Sequence, residues 1–452
     1  MVWYTTSLIL VALGVAACIG PPPQPTPLPP VPPRWSVPSA SMEKISHGWL
    51  QDFAAPELEI MVAQALRDSP DLRSIHLRME AARARILIAD SARWPRVTLD
   101  ADVQRSGTSS VQTTSHGLDT TVAWEVDLWQ RLSLNRQGAE ADWRATEADV
   151  RAARLALAAK VARGWFRVVE TGGQIGLAQH HLENLRRALT VIEERYRMGL
   201  ATTLDLRLAR TDIAQGEERL ASRRMELDEA KRTLETLLGR YPEGTLEERS
   251  SLPTRFRPVP AGLPAELLER RCDLVAARHR LDGATTRLEE ARRNRLPTLK
   301  LTTTGGYSSP ELRDLLDWDH LVWRLVGGLT QPLFQGGRLK GEEALARVEH
   351  QQAWTDYAKA VLNALREVET ALAATPRIQE RESALEDQVR EANAAVTEAV
   401  ARYQEGLIGL VTLLDTQRRA FTAESSRLSV ARERLDNRID LYLALGGDFG
   451  TQ

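Results

Sequence analysis

Side chains suited to covalent, acid–base or metal chemistry are few in this 452-residue sequence, and they are badly spaced for it. His180 and His181 are neighbours, so a helix would point them about 100° apart and no single face could carry both as metal ligands. Gly172, Gly173 and Gly176 imitate part of a glycine-rich phosphate loop, but they follow no strand-like segment and make a poor dinucleotide signal. There is no HExxH, no P-loop and no nucleophile elbow. Two cysteines, Cys18 and Cys272, cannot staple a disulfide scaffold, and Cys272 reads as a small buried residue. The expectation is therefore a protein that is not an enzyme, with no catalytic residue, no metal and no cofactor. What remains is Cys18.

The chemistry open to Cys18 is set by what precedes it. Residues 8–17 read LILVALGVAA, an apolar run too short to span a membrane, ending in small residues. Residues 1–17 are thus expected to be a signal peptide. Val15-Ala16-Ala17-Cys18 also has the form of a bacterial lipobox, which would make Cys18 the lipid-bearing first residue of the mature chain. Each buried CH2 of the acyl chains would contribute about 0.8 kcal/mol to anchoring. The alternative is a plain signal peptide with an incidental cysteine, and residues 1–6 indeed carry no Lys or Arg. Ile19 follows, not the Asp that holds bacterial lipoproteins in the inner membrane, which points to the outer membrane. Ten of the 22 prolines then crowd into residues 21–38, so residues 18–42 read as an extended tether or a plain linker.

The elements behind this leader must be long helices. A net charge of −2 argues against nucleic acid as a partner, and a mean hydropathy of −0.32 excludes a bundle of transmembrane helices. Aromatics at 5%, charged residues at 27% and no proline in residues 96–241 or after Pro376 favour extended helical tracts.

The body is written twice. Asp71-Leu72 matches Asp273-Leu274, Arg93-Trp94-Pro95 matches Arg295-Leu296-Pro297, and Asp127-Leu128-Trp129-Gln130 matches Pro332-Leu333-Phe334-Gln335. Arg195-Tyr196-Arg197-Met198-Gly199-Leu200 matches Arg402-Tyr403-Gln404-Glu405-Gly406-Leu407, and Leu238-Gly239 matches Leu445-Gly446. The anchors keep their order at an offset of 202 to 207 residues, from Asp71–Asp273 to Leu238–Leu445. The repeats are placed at 43–240 and 262–447, joined by a proline-rich connector at 241–261, with a short tail at 448–452.

Within each repeat the hydrophobic period changes. Val97, Leu99, Ala101 and Val103 alternate with polar residues, as do Leu118, Val122, Trp124, Val126 and Leu128. Hairpins are expected at 96–129, with a polar loop over 105–117, and at 298–331, where Leu299, Leu301, Tyr307, Leu321, Trp323, Leu325 and Leu329 alternate more weakly. Strands of about ten residues can cross a bilayer when tilted, and Trp94, Trp124, Trp129, Trp318 and Trp323 lie where an aromatic girdle would. The rest steps by three and four, as in Leu182, Leu185, Leu189, Ile192 and Tyr196. Residues 131–197 as one helix would span roughly 100 Å at about 1.5 Å per residue. Gly172-Gly173 and Pro376 are expected to interrupt and bend these long helices, and shorter helices are expected over about 57–93, with Pro70 at a helix start, and about 265–295.

The duplicated plan, the two RYxxG motifs, Trp124-Glu125-Val126-Asp127-Leu128-Trp129 and the terminal Leu445-Gly446-Gly447 resemble the outer-membrane factor family, the TolC-like outer membrane efflux proteins, in its NodT-like lipoprotein branch. The resemblance covers about residues 45–448, and Cys272 departs from it where the branch has Pro. It implies a mainly α fold with membrane β: four strands per protomer in a trimeric 12-stranded β-barrel, continued by a long coiled-coil α-helical periplasmic tunnel. It also implies a homotrimer, an adaptor protein in the periplasm and an inner-membrane pump. The adaptor would dock at Met198, Gly199, Leu200, Ala201, Thr202, Gly406, Leu407, Ile408, Gly409 and Leu410. The family's tunnel constriction carries over to Tyr403, Asp205 and Asp415, while Thr412 and Ile408 replace two of its charged positions. Three copies of Asp415 would form an anionic ring; the plainer alternative makes Asp205 and Asp415 solvated helix residues.

The expected function is a passive exit duct for small molecules in a tripartite efflux system, at the outer membrane of a Gram-negative bacterium, lipid-anchored and reaching into the periplasm. A type I protein secretion conduit, or a non-conducting lipid-anchored coiled-coil scaffold, are the alternatives.

Overall fold

The computed structural model describes residues 30–36, 48–110, 112–247, 251–254, 256, 259, 262 and 264–447. The signal peptide, Cys18 and the 448–452 tail lie outside the described residues. The chain divides into two compact units, one holding residues 76–149 and 273–360, the other residues 30–75, 150–272 and 361–452.

The first unit contains a four-stranded antiparallel sheet in the order β1 (Arg96–Gly107), β2 (Gln112–Val126), β3 (Thr298–Ser309), β4 (Leu321–Thr330). Its register puts the alternating residues of both repeats on one face. Val97 pairs with Val122, Val122 with Thr303 and Thr303 with Leu325, while Trp124 pairs with Leu301 and Val126 with Leu299. Val97, Leu99, Val103, Trp323, Leu325 and Leu329 on this face are all more than half exposed. The other face carries Asp100 opposite Asp119, Glu125 opposite Lys300 and Thr304 opposite Arg324. An apolar face and a polar face on the same exposed strands is the pattern of a sheet solvated by two media.

The strands outrun the expected hairpin. Pairing continues to Gly107 opposite Gln112, so the loop expected over 105–117 shrinks to residues 108–111. Hydrophobic alternation stops where both faces meet polar surroundings, but the hydrogen-bond ladder does not. Gly306 makes the register possible: a Cβ there would sit 2.2 Å from the Leu118 carbonyl and 2.3 Å from Asp119 Oδ1.

Helices supply the rest: α1 (Pro56–Asp68), α2 (Pro70–Ser91), α3 (Arg131–Arg197), α4 (Thr203–Leu237), α5 (Cys272–Arg293), α6 (Arg338–Gln404) and α7 (Leu410–Ala444). No helix among the described residues is long and apolar enough to cross a membrane. The second unit has a core in which Phe53, Phe166, Leu58, Leu234, Leu238, Leu435, Ile439 and Leu445 are almost fully buried.

Two expectations change here and one holds. Gly172-Gly173 and Pro376 do not interrupt α3 or α6, which run through them. Gly173 instead admits a neighbour, since a Cβ there would lie 2.7 Å from Leu428 Cδ2 of α7. A helical proline costs about 3 kcal/mol, but packing carries α6 through it: Ala371, Leu372 and Ile378 around it are buried, and Asn437 and Thr375 both donate to the Ala371 carbonyl. Pro70 does begin a helix, and residues 57–93 hold two helices because Pro70 forces Ser69 into an extended conformation (φ −66°, ψ 122°). The second repeat keeps the same break without proline. Arg271 is extended (φ −73°, ψ 119°), and its buried guanidinium donates to the Ala444 carbonyl and to Glu367. Finally, the leader is not a free tether to residue 42: Trp35 is buried and donates to the Gly262 carbonyl, and Ser36 binds Glu369.

Each repeat closes on its own beginning through a glycine. Gly239 (φ 72°) lies against the Asp68 carbonyl, 2.6 Å from where a Cβ would stand, and Gly446 (φ 71°) lies against the backbone of Arg270 and Arg271 at 3.2 Å. Left-handed backbone alone costs a non-glycine residue about 1–2 kcal/mol. Gly239→Ala adds a backbone clash, whereas Gly199→Ala (φ 76°) meets open space. Thermal unfolding should therefore show Gly239→Ala losing clearly more stability than Gly199→Ala; equal losses would show that the close approach to Asp68 carries no energy.

Candidate functional site

Two places gather the residues singled out by the sequence, one in each unit. In the first unit it is the junction between strand and helix, where the side chains of Trp124, Glu125, Asp127 and Trp129 each have a defined partner. Trp124 Nε1 donates to the Arg93 carbonyl at 3.0 Å, just before β1, and Trp129 Nε1 donates to the Pro297 carbonyl at 2.7 Å, just before β3. Glu125 pairs with Arg131 at 2.6 Å. Asp127 caps α3, accepting from the backbone of Leu132 (2.9 Å) and Ser133 (2.8 Å) and from Ser133 Oγ. Burial opposes its charge, but those hydrogen bonds and nearby Arg131 hold its pKa below the ordinary carboxylate value. The motif thus ties two strand starts and one helix start together. It does structural work and leaves no unpartnered carboxylate for chemistry.

In the second unit the site is the pair of helix reversals. Both end in the same cap. Gly199 N–H donates to the Tyr196 carbonyl and Leu200 N–H to the Arg195 carbonyl, at 3.0 and 2.8 Å; Gly406 and Leu407 repeat this with Tyr403 and Arg402 at 3.0 and 2.9 Å. The 6→1 and 5→2 bonds need a left-handed residue, which is why glycine stands at both places, with φ of 76° and 79°. RYxxGL is thereby a capping sequence first.

The leucines that such caps commonly bury are left out here. Leu200 is 62% exposed and Leu407 is 68% exposed, beside exposed Met198, Leu204 and Val411. Ala201 is half-buried, Gly409 is the extended N-cap of α7, and Ile408 and Leu410 turn inward. There they join a small core with Ile192, Ala209, Ala399, Tyr403 and Leu413, which packs the first reversal against the second.

The constriction residues are brought together only in part. Thr202 and Asp205 form a reciprocal capping box at the start of α4, so the Asp205 carboxylate is already engaged with the Thr202 backbone and hydroxyl. Tyr403 is buried in the small core. Burial raises the pKa of its phenol, Arg195 opposes that, and Asp205 adds to it. Asp415 is held by Arg418 and Arg419, one turn further along α7, and their hydrogen bonds keep its pKa low. Two guanidiniums on one carboxylate mean that Asp415 belongs to a mixed charge cluster and does not stand as a bare anion.

Sequence reasoning passed over Arg195, Arg418, Arg419 and His181. Arg195 lies 5.2 Å from the Tyr403 ring centre and donates to the Tyr403 and Gln404 carbonyls at 3.3 Å, joining one reversal to the other. His181 stacks on Phe421 at 4.8 Å, with the Arg219 guanidinium also over Phe421 at 4.9 Å. Together with Asp212, Asp415 and Arg418 it lines a half-open groove of about 210 Å³. The arginine in each RYxxG was visible as a repeat, but nothing in one sequence says which carbonyl it reaches.

Comparison with known proteins gives the same picture at the level of the whole chain. The family described as "Outer membrane efflux protein" matches residues 61–240 and 263–447. The pyoverdine export outer membrane protein OpmQ of Pseudomonas putida is 30% identical over 457 residues, covering 97% of this chain and 96% of that protein. The cation efflux system protein CusC of Escherichia coli K12 is 27% identical over 450 residues, covering 97% of this chain and 98% of that protein. The crystal structure of the open state of the Neisseria gonorrhoeae MtrE outer membrane channel superposes with a TM-score of 0.85 at 28% identity, over 96% of this chain and 99% of that one.

The groove has a pH signature. Burial, helped by the positive charge of Arg219, pushes the His181 pKa down to about 4. The unfolded chain binds its proton near pH 6.5, so this term is absent above that pH and stability is lost as pH falls from about 6.5 towards 4. His181→Phe should flatten the fall of the melting temperature across that window. A slope identical to that of the parent protein would show that His181 is not held neutral.

Proposed function

We propose, from the premise that this chain belongs to the outer membrane efflux protein family, that three copies of it form a passive exit duct for small molecules. The chain is an outer-membrane efflux channel component; the trimer, the adaptor and the pump are the finer reading. The observation that carries it is the sheet: an apolar outward face, and one unpaired edge each on β1 and β4. Open edges in hydrocarbon leave backbone groups that nothing satisfies, and four strands are too few to close a barrel. Three copies supply twelve strands and remove every edge. Long paired helices from each copy continue the passage into the periplasm. Energy comes from an inner-membrane pump, delivered through a periplasmic adaptor. Small-molecule cargo agrees with relatives concerned with pyoverdine export and cation efflux. Acylation of Cys18 in the outer membrane belongs to the same proposal. Outer-membrane fractions should yield an SDS-resistant trimer that conducts ions in planar bilayers; a monomer without conductance overturns this reading.

The reversals are the docking tip for the adaptor. Supporting this, Met198, Leu200 and Leu407 keep apolar side chains in solvent while their own reversals already have a core from other residues. Gly199, Ala201, Thr202, Gly406, Ile408, Gly409 and Leu410 shape that surface. The glycines build the caps, so the test spares them. A Leu200→Glu, Leu407→Glu chain should assemble as a normal trimer but lose most efflux-dependent resistance. Full resistance with normal assembly counts against docking.

The constriction uses Asp205 as a cap, Tyr403 as packing and Asp415 as one member of a charge cluster with Arg418 and Arg419. Such exposed pairs contribute little stability each, but three clusters around a narrow axis set the sign of the field an ion meets. Replacing Arg418 and Arg419 with Ala should shift single-channel selectivity towards cations, and Asp415→Ala should shift it towards anions. Selectivity that moves with neither variant removes the cluster from the conduction path.

A further inference from the structure

The two RYxxG caps are copies in backbone and differ in what their arginines do. Arg195 crosses to the second reversal, where it bonds to the Tyr403 and Gln404 carbonyls and faces the Tyr403 ring. These carbonyls belong to the last turn of α6, the negative end of its dipole, where a guanidinium is favoured. Arg402 is the counterpart of Arg195 in the second repeat. Within its own chain only its Nε is engaged, by Glu398 at 2.7 Å, on the surface with both side chains more than half exposed. The counterparts of Tyr403 and Gln404 are Tyr196 and Arg197. The Tyr196 carbonyl serves its own cap as the Tyr403 carbonyl does, the Tyr196 ring is 42% exposed, and no arginine crosses to this helix end.

Among the described residues the Arg195 cap therefore has no counterpart in the second repeat: the terminal nitrogens of Arg402 and the end of α3 are left without the contact that their counterparts make with each other. We propose that the flanks meet in neighbouring copies: Arg402 of one copy caps the last turn of α3 in the next, bonding to the Tyr196 and Arg197 carbonyls with its guanidinium against the Tyr196 ring. The occupant of this surface is a second copy of the chain. The contact reproduces, across the copy boundary, the one already made inside each chain, so the interface is of the head-to-tail kind that closes into a ring when the rotation permits. Glu398 holds Nε and leaves both terminal nitrogens to donate, so it aims the arginine without consuming it. The acceptor at position 197 is a backbone carbonyl, which is why the change from Gln404 to Arg197 does not abolish the site. With three copies the tip becomes six reversals joined by six arginine caps, three within chains and three between them. This rests on the trimer proposed above.

Thiol cross-linking in outer membranes tests it. The Arg402→Cys, Arg197→Cys double variant, treated with a short bis-maleimide that adds one thiol at each end, should run as covalent dimer and trimer on a reducing gel, and each single variant should not. Monomer only, while the untreated double variant still runs as an SDS-resistant trimer, overturns the contact and leaves the trimer standing. Absence of any trimer from the parent protein overturns both. A second variant avoids cysteine: Arg402→Leu should lower the dissociation temperature of the SDS-resistant trimer with unchanged helix content, and Arg402→Lys, lacking the planar fork, should restore it only in part. A dissociation temperature equal to that of the parent in Arg402→Leu overturns the proposal.

Discussion

A backbone amide in hydrocarbon has no water to turn to, and β1 and β4 each present a row of them. Most other features of the protein can be ordered around that constraint. A sheet with one face for lipid and one for water reads as alternating residues, and its register must hold, because a slip of one residue would turn every side chain to the wrong medium. Gly306 lets β3 approach Asp119 without a clash, and Trp124 and Trp129 pin the starts of β1 and β3 through the Arg93 and Pro297 carbonyls. The edges themselves cannot be satisfied inside one chain, so the assembly is dictated by the backbone before any side-chain contact between copies is considered.

Duplication supplies the means, and broken duplication supplies the specificity. Both repeats close through a left-handed glycine against their own first helical break, at Gly239 and at Gly446. Both reversals use the same pair of backbone bonds. Yet the repeats diverge wherever one must contact the other. Pro70 imposes the break in the first repeat by steric restriction, and Arg271 occupies the matching break in the second with a buried guanidinium. Arg195 reaches the carbonyls of the other repeat's reversal where Arg402 engages Glu398 on its own helix. A perfect repeat could pair its halves in more than one way; these differences select one.

Charge at the tip follows the same economy of position. Asp205 and Asp415 look alike in sequence, each placed shortly after a reversal glycine. The first completes a capping box with Thr202, and the second lies one turn before two arginines on its own helix. Both carboxylates are engaged by near neighbours on their own helix, so neither stands as a bare charge.

Much of the architecture was legible because periodicity is a local property. Helix α3 was readable over 131–197 and the strands over 96–103 and 118–126, since burial on one face repeats every 3.6 or 2 residues whatever the partner. The two copies were readable from anchors such as RYxxG and Leu-Gly. What failed were places where a remote contact outweighs a local preference: Pro376 inside α6, Gly173 beneath Leu428, the strand ends at Gly107 and Gln112, and Trp35 drawn out of the leader into a core. The candidate site divides in the same way. Glycines at 199 and 406 were legible, because only they tolerate the left-handed turn. The roles of Arg195, Arg418 and Arg419 were not. The sequence by itself determined the helices, the strands, the duplication and the membrane-facing alternation, because each of these is enforced by neighbours within a few residues. Only the tertiary structure decided which carbonyl a remote arginine caps, as Arg195 does at Tyr403 and Arg271 at Ala444, because a long side chain chooses its partner among groups that folding brings near from far along the chain.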